Sequence, residues 1–123
     1  MLPFSFSRVS LRLYQVIIPQ NDNEGKSYAP RHLKFCERLL AEFGGFTSFE
    51  AFGGWSHNGI MQREAVEVYQ VAIKSPPDFY PNDVNIDALT AMAHKYFPDQ
   101  TAFMVSEIGV TMITYPKKEV EHA

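Results

Sequence analysis

Asn58-Gly59 is the feature that most narrows what this chain can become. Both residues tolerate positive φ, so the pair suits a tight turn whose twist matches two flanking strands. Such strands are present on both sides. Residues 46–55 form an aromatic-rich run ending at Gly53-Gly54-Trp55, and residues 60–74 form a long run of alternating character. The pair therefore predicts an antiparallel hairpin. The turn also sorts side chains by face. A two-residue turn sets Trp55 opposite Gln62, and a four-residue loop sets it opposite Ile60. Either way Thr47, Phe49, Ala51, Gly53 and Trp55 share a face with Gln62, Glu64, Val66 and Val68, unless a bulge at Gly53-Gly54 intervenes.

The flanking sequence adds two helices and two strands. Residues 11–19 are rich in β-branched and aromatic side chains and end at Pro19, as a strand would. A polar stretch with Gly25 follows. Pro30 then suits the first turn of a helix over residues 30–43, with Leu33, Cys36, Leu40 and Phe43 at helical spacing and Gly44-Gly45 as its stop. After the hairpin, Pro76, Pro77 and Pro81 predict a loop. Residues 83–97 carry Ile86, Leu89, Ala93 and Phe97 on one stripe, with Asp83 or Asn85 as a cap and Pro98 as a stop. Residues 101–114 read as a last strand, kinked at Gly109, before a charged tail.

The order β-α-β-β-α-β predicts one α+β domain of ferredoxin-like type, with a core over about residues 11–114 and both helices on one face of an antiparallel sheet. Length agrees, since 123 residues suit a single core. Both sheet faces read as partly apolar. Leu11, Leu13 and Ile17 oppose Tyr14, Val16 and Ile18 in the first strand. Val66 and Val68 oppose Tyr69, Val71 and Ile73 in the third. Two helices cover one face only, so the other predicts a homo-oligomer.

Charge and cysteine content narrow the function classes. A net charge of −3 argues against a nucleic-acid binder. No apolar run approaches a membrane span. The N-terminal stretch lacks a basic start and is interrupted by Arg8 and Arg12, so it does not read as a signal peptide. The single cysteine, Cys36, reads as a packed thiol in a reducing, cytoplasmic setting. The four histidines His32, His57, His94 and His122 form no metal-type cluster, and no cofactor motif occurs. Gly25-Lys26-Ser27 lacks the preceding glycine of a phosphate loop. Asp22-Asn23-Glu24-Gly25 lacks a full calcium-ligand spacing and reads as a solvated loop. Tyr28, Arg31 and His32 at a helix entry read either as a place to meet an anion or as a solvated turn.

The informative cluster is on the hairpin. Thr47, Trp55, Gln62 and Glu64 share one face, and His57 lies beside the turn. A tryptophan offers a stacking plate, glycines admit close approach, and Gln and Glu supply polar contacts. This reads either as a small-molecule pocket at a subunit boundary or as a tryptophan anchor in an oligomer contact, with Glu64 pairing a neighbour's cation. A small enzyme using Glu64 or His57 as acid/base, and a protein-interaction module, are the alternatives.

The run Gly54-Trp55-x-x-x-Gly59-x-x-x-x-Glu64, leading to Ile73-Lys74-Ser75, resembles the hairpin of CutA-like proteins, relatives of the PII signalling proteins. Gly44-Gly45-Phe46-Thr47 before Gly54-Trp55 also resembles a group of uncharacterised small bacterial and phage proteins. The resemblance implies ferredoxin-like subunits, often trimeric, with ligand sites in the clefts between them. It points to a non-catalytic ligand-binding or regulatory protein whose ligand is small and nucleotide-like.

Overall fold

In the computed structural model, residues 5–74 and 84–117 are described. The elements run β1 (Phe6–Pro19), α1 (Ala29–Phe43), β2 (Thr47–His57), β3 (Ile60–Ile73), α2 (Val84–Tyr96) and β4 (Met104–Pro116). The four strands form one antiparallel sheet in the order β2-β3-β1-β4. This is the ferredoxin-like α+β arrangement that the element order predicts. The proline-rich loop and Asp83 lie outside the described residues.

The Asn58-Gly59 turn sets the frame. Asn58 has φ 53° and Gly59 φ 77°, the left-handed conformations that a two-residue hairpin turn demands. The ladder then runs without interruption from His57↔Ile60 to Thr47↔Gln70, with Trp55 opposite Gln62 and no bulge at Gly53-Gly54. The expected kink at Gly109 takes another form. Leu13 pairs Gly109 while Tyr14 pairs Glu107, so Ile108 is the extra residue of a bulge.

Alternation divides the sheet into a covered and an open face. Tyr14, Val16 and Ile18 of β1 and Tyr69, Val71 and Ile73 of β3 point toward the helices and are buried there with Phe35, Leu39, Leu89, Ala93 and Phe97. Helix α2 buries Leu89, Met92 and Ala93, close to its expected stripe. Asn85 does not act as the expected cap. Its amide donates to the Tyr14 hydroxyl at 3.2 Å and to the Lys74 carbonyl at 2.9 Å, tying the helix to the sheet.

Helix α1 sits in a different rotation from the one its leucines predict. Its buried residues are His32, Phe35 and Leu39, while Leu33 and Leu40 are 62% and 51% exposed. Gly44 closes the helix in the left-handed conformation, donating its N–H to the Leu40 carbonyl. The rotation follows from what His32 and Phe35 can reach. His32 Nε2 donates to the Pro19 carbonyl at 2.8 Å, which fixes the neutral tautomer. Its Nδ1 lies 2.6 Å from the Tyr69 hydroxyl and accepts from it. Cys36 Sγ donates in turn to the Tyr69 oxygen at 3.7 Å. Phe35 packs against Tyr69 with ring centroids 4.9 Å apart. A leucine stripe turned inward would have left the imidazole without these partners.

Burial lowers the His32 pKa, and it outweighs the opposing effects of the Pro19 carbonyl and Glu67. The unfolded chain therefore takes up the proton first as pH falls. The contribution of neutral His32 is complete above the unfolded value of about 6.5 and is progressively lost below it. The unfolding free energy, from urea titrations at stepped pH, is expected to decline on acidification through that point. His32→Phe is expected to flatten this part of the profile and to cost about 1–3 kcal/mol at neutral pH, because it removes the acceptor of the Tyr69 hydroxyl proton and the imidazole donor to the Pro19 carbonyl. An unchanged slope in the variant would exclude His32 as its source.

Candidate functional site

Strand parity brings three of the five expected site residues together. Trp55 directly faces Gln62, and Gly53 faces Glu64, so Trp55, Gln62 and Glu64 adjoin on the open face. Trp55 is 47% exposed. Gly53 contributes no side chain between the tryptophan and the carboxylate. A Cβ there would meet Val66 at an ordinary 3.7 Å, so the glycine leaves a notch without being sterically required. Glu64 is half-buried and forms no ion pair or side-chain hydrogen bond among the described residues.

The other two residues are set apart. His57 is exposed at the end of β2, on the same face, with Asn58 Nδ2 at 3.4 Å from its Nε2. It pairs with Ile60, four residues along β3 from Glu64, which separates the two by roughly 13 Å of strand. His57 and Glu64 of one protomer therefore do not form an acid/base pair. Thr47 shares the face but stands eight residues along β2 from Trp55, roughly 26 Å away.

Thr47 belongs instead to a separate cavity of about 400 Å³ at the other end of the open face. Its walls include Leu11, Leu13, Phe46 and Ile113, with Thr47, Gln70 and Thr111 as polar lining. No charged side chain lines it. Sequence reading named Thr47 but not the cavity. The signal available was the apolar alternation of residues 11 and 13 and the bare Gly44-Gly45 link before β2.

Cations near the hairpin lie on the wrong side for Trp55. Arg63, the single arginine of the two hairpin strands, points to the opposite face, its guanidinium 4.2 Å from the Phe52 ring centroid. A hollow of about 300 Å³ lies there, lined by Phe52, Gly53, Gly54, Met61 and Arg63.

The entry to α1 is neither an anion site nor a solvated turn. Tyr28 and His32 are buried, and Arg31 pairs with Asp99. The Tyr28 hydroxyl donates to Asp99 at 2.6 Å and accepts from Gln100 at 3.0 Å. The Tyr28 hydrogen bond, with help from Arg31, holds Asp99 below the usual carboxylate range. In the preceding loop, Asp22 Oδ1 accepts from the Glu24 and Lys26 N–H groups, so it supports the turn itself. Burial raises the Cys36 thiol pKa, in keeping with a packed thiol. His94 packs edge-on against Phe103. Among the described residues no group of three or more His, Cys, Asp or Glu side chains could hold a metal ion. No described helix is long and apolar enough to cross a membrane.

No family model matches the chain, and no curated protein matches it. Among solved structures it is similar to CutA from Synechococcus elongatus PCC7942, at 12% identity and a TM-score of 0.51, over 87% of this chain and 85% of that one. The likeness extends through nearly the whole βαββαβ fold, and the architecture shared with that protein is ferredoxin-like.

The placement of Trp55 opposite Gln62 depends on the turn. Gly59→Ala introduces a Cβ that meets no neighbour, so its whole cost is the positive φ. Chemical denaturation is expected to show a loss of about 1 kcal/mol, against little change for Asn58→Gly.

Proposed function

We propose that this protein is a homo-oligomer, with a trimer favoured, that binds a small nucleotide-like molecule at the boundary between subunits, in a regulatory rather than catalytic role. The kinship with CutA and PII proteins that the hairpin motif implies belongs to the same reading. The observation that carries it is the open face. Val9, Phe49, Trp55, Ile60, Met104, Ile113 and Tyr115 all lie there and are each at least 41% exposed. An apolar surface of this extent is characteristic of an association site.

The sheet edges support a ring. Strands β2 and β4 are opposite edges, so pairing β2 of one copy with β4 of another is head-to-tail. Successive antiparallel pairings make β2 and β4 antiparallel to each other. Rotation about an axis along the strands would thus align them for a regular antiparallel ladder. Closure with three copies gives a compact ring with the apolar faces inward.

Such an assembly would set the exposed Trp55 plate, Gln62 and Glu64 beside a neighbouring subunit. The hairpin strands supply Glu64 but no lysine or arginine on that face, so the neighbour would provide the cations for any phosphate. A planar base would stack on Trp55.

Light scattering coupled to size exclusion is expected to return about three times the 14.0 kDa chain mass at micromolar concentration. A 14.0 kDa species would overturn the assembly. Thermal-shift and calorimetric screens of nucleotides are expected to find at least one that stabilises the protein and loses this effect with Trp55→Ala. No stabilisation by any of them would remove the nucleotide reading while leaving the oligomer intact.

A further inference from the structure

The open face is not uniformly apolar. Register places Thr47 opposite Gln70, Gln70 opposite Gln15, and Gln15 opposite Ser106. One polar side chain from each of the four strands thus forms a single row straight across the sheet. Gln70 Nε2 donates to Gln15 Oε1 at 3.1 Å in the middle of it. The next row on one side is Phe49, Val68, Ile17 and Met104. On the other side stand Ala72 and Leu13. Both glutamines are already half-buried in a single protomer.

A glutamine amide has two donor hydrogens and an acceptor oxygen with two lone pairs. The single bond between Gln70 and Gln15 leaves donors and acceptors on both, which water serves while the face is open. Covering the face removes that water, so the covering surface must offer polar groups at the same height along the strands.

We propose that the row Thr47–Gln70–Gln15–Ser106 is the specificity-determining strip of the subunit interface, and that a second copy of the same row is what it meets. This rests on the oligomer reading above. Three observations favour a second copy. Each group in the row both donates and accepts, so the row is complementary to itself. A wholly apolar partner or a lipid surface leaves the amides unsatisfied. Four strands about 4.8 Å apart and about ten residues long present roughly 600 Å² per copy, enough for a standard interface when two copies contribute.

The row also selects register. Rotation about an axis parallel to the strands keeps every copy's row at one height, so the amides of all subunits converge. A slip of two residues keeps apolar side chains on the inner face but lays the glutamines over Phe49, Val68, Ile17 and Met104. Apolar packing alone would tolerate that slip, and the amides do not. A buried polar side chain used in this way trades stability for a defined register and number of copies.

The test is the double variant Gln15→Leu/Gln70→Leu, with native mass spectrometry and light scattering over a concentration series. Wild type is expected as one oligomeric species. The variant is expected to remain folded and associated, to melt at a higher temperature, and to distribute over at least one further oligomeric state. A variant with the same single stoichiometry as wild type would overturn the proposal while leaving the oligomer standing. A monomeric wild type would overturn both. Should the double variant not fold, Gln70→Met decides, with the same loss of single stoichiometry expected and its retention counting against the row.

Discussion

The side on which each β2 residue lies, relative to β3, is settled by the two-residue turn at Asn58-Gly59. Strand side chains alternate, so adding one residue to the turn would exchange the faces of one hairpin strand relative to the other. With the turn as it stands, Phe49, Ala51, Gly53 and Trp55 join Gln62, Glu64, Val66 and Val68 on the open face, opposite the side on which Tyr69, Val71 and Ile73 lie beneath the helices. Strand β3 then hands this assignment to β1 through Tyr14↔Val71 and Val16↔Tyr69. The position of Trp55 and the β2 share of the open face descend from the turn, while the core is set by the pairing of β1 with β3 beneath the helices.

The second constraint is polar. His32 is the junction at which β1, α1 and β3 meet, through the Pro19 carbonyl and the Tyr69 hydroxyl. A histidine in an aromatic core is tolerable because both ring nitrogens are occupied and the ring is neutral. The directional chain from Cys36 through Tyr69 and His32 to Pro19 accepts only one rotation of α1. Hydrophobic packing alone would discriminate weakly between the stripe of Phe35 and Leu39 and the stripe of Leu33 and Leu40. Hydrogen bonding does so strongly, because the losing rotation buries unpaired groups.

This explains what sequence reading could reach. Strand and helix positions were legible wherever the signal is local: the Asn58-Gly59 turn, Pro30 at the helix entry, Gly44 after it, and the alternation in β1 and β3. Of the expected α1 stripe, Cys36 and Phe43 do pack on the core, but Leu33 and Leu40 do not, because leucine content speaks for burial while the deciding partners, Pro19 and Tyr69, are remote in sequence. The face shared by Trp55, Gln62 and Glu64 was legible since it needs one turn. The distance from Thr47 to Trp55 was also implicit in strand rise, but face parity alone does not express it. The polar row across the sheet requires three registers at once, one of them on the far side of the Ile108 bulge from much of β4. No local pattern encodes that.

The open face then divides by chemistry along the strands. At the hairpin end stand a stacking ring, a carboxylate and a glycine notch. Farther along runs the row of hydroxyls and amides, whose Thr47 and Gln70 also line the uncharged cavity walled by Phe43 and Phe46. An interface that needed only burial would be apolar throughout. A binding site complete within one protomer would enclose Trp55 rather than leave it nearly half exposed. The combination of an apolar surface, a self-complementary polar strip and an unenclosed aromatic is what the proposed reading, a ligand site finished by a neighbouring copy, asks of a subunit. In the proposed assembly each copy would supply the plate and the acid, the strip would fix where the next copy stands, and that placement would decide which groups face Trp55 across the boundary.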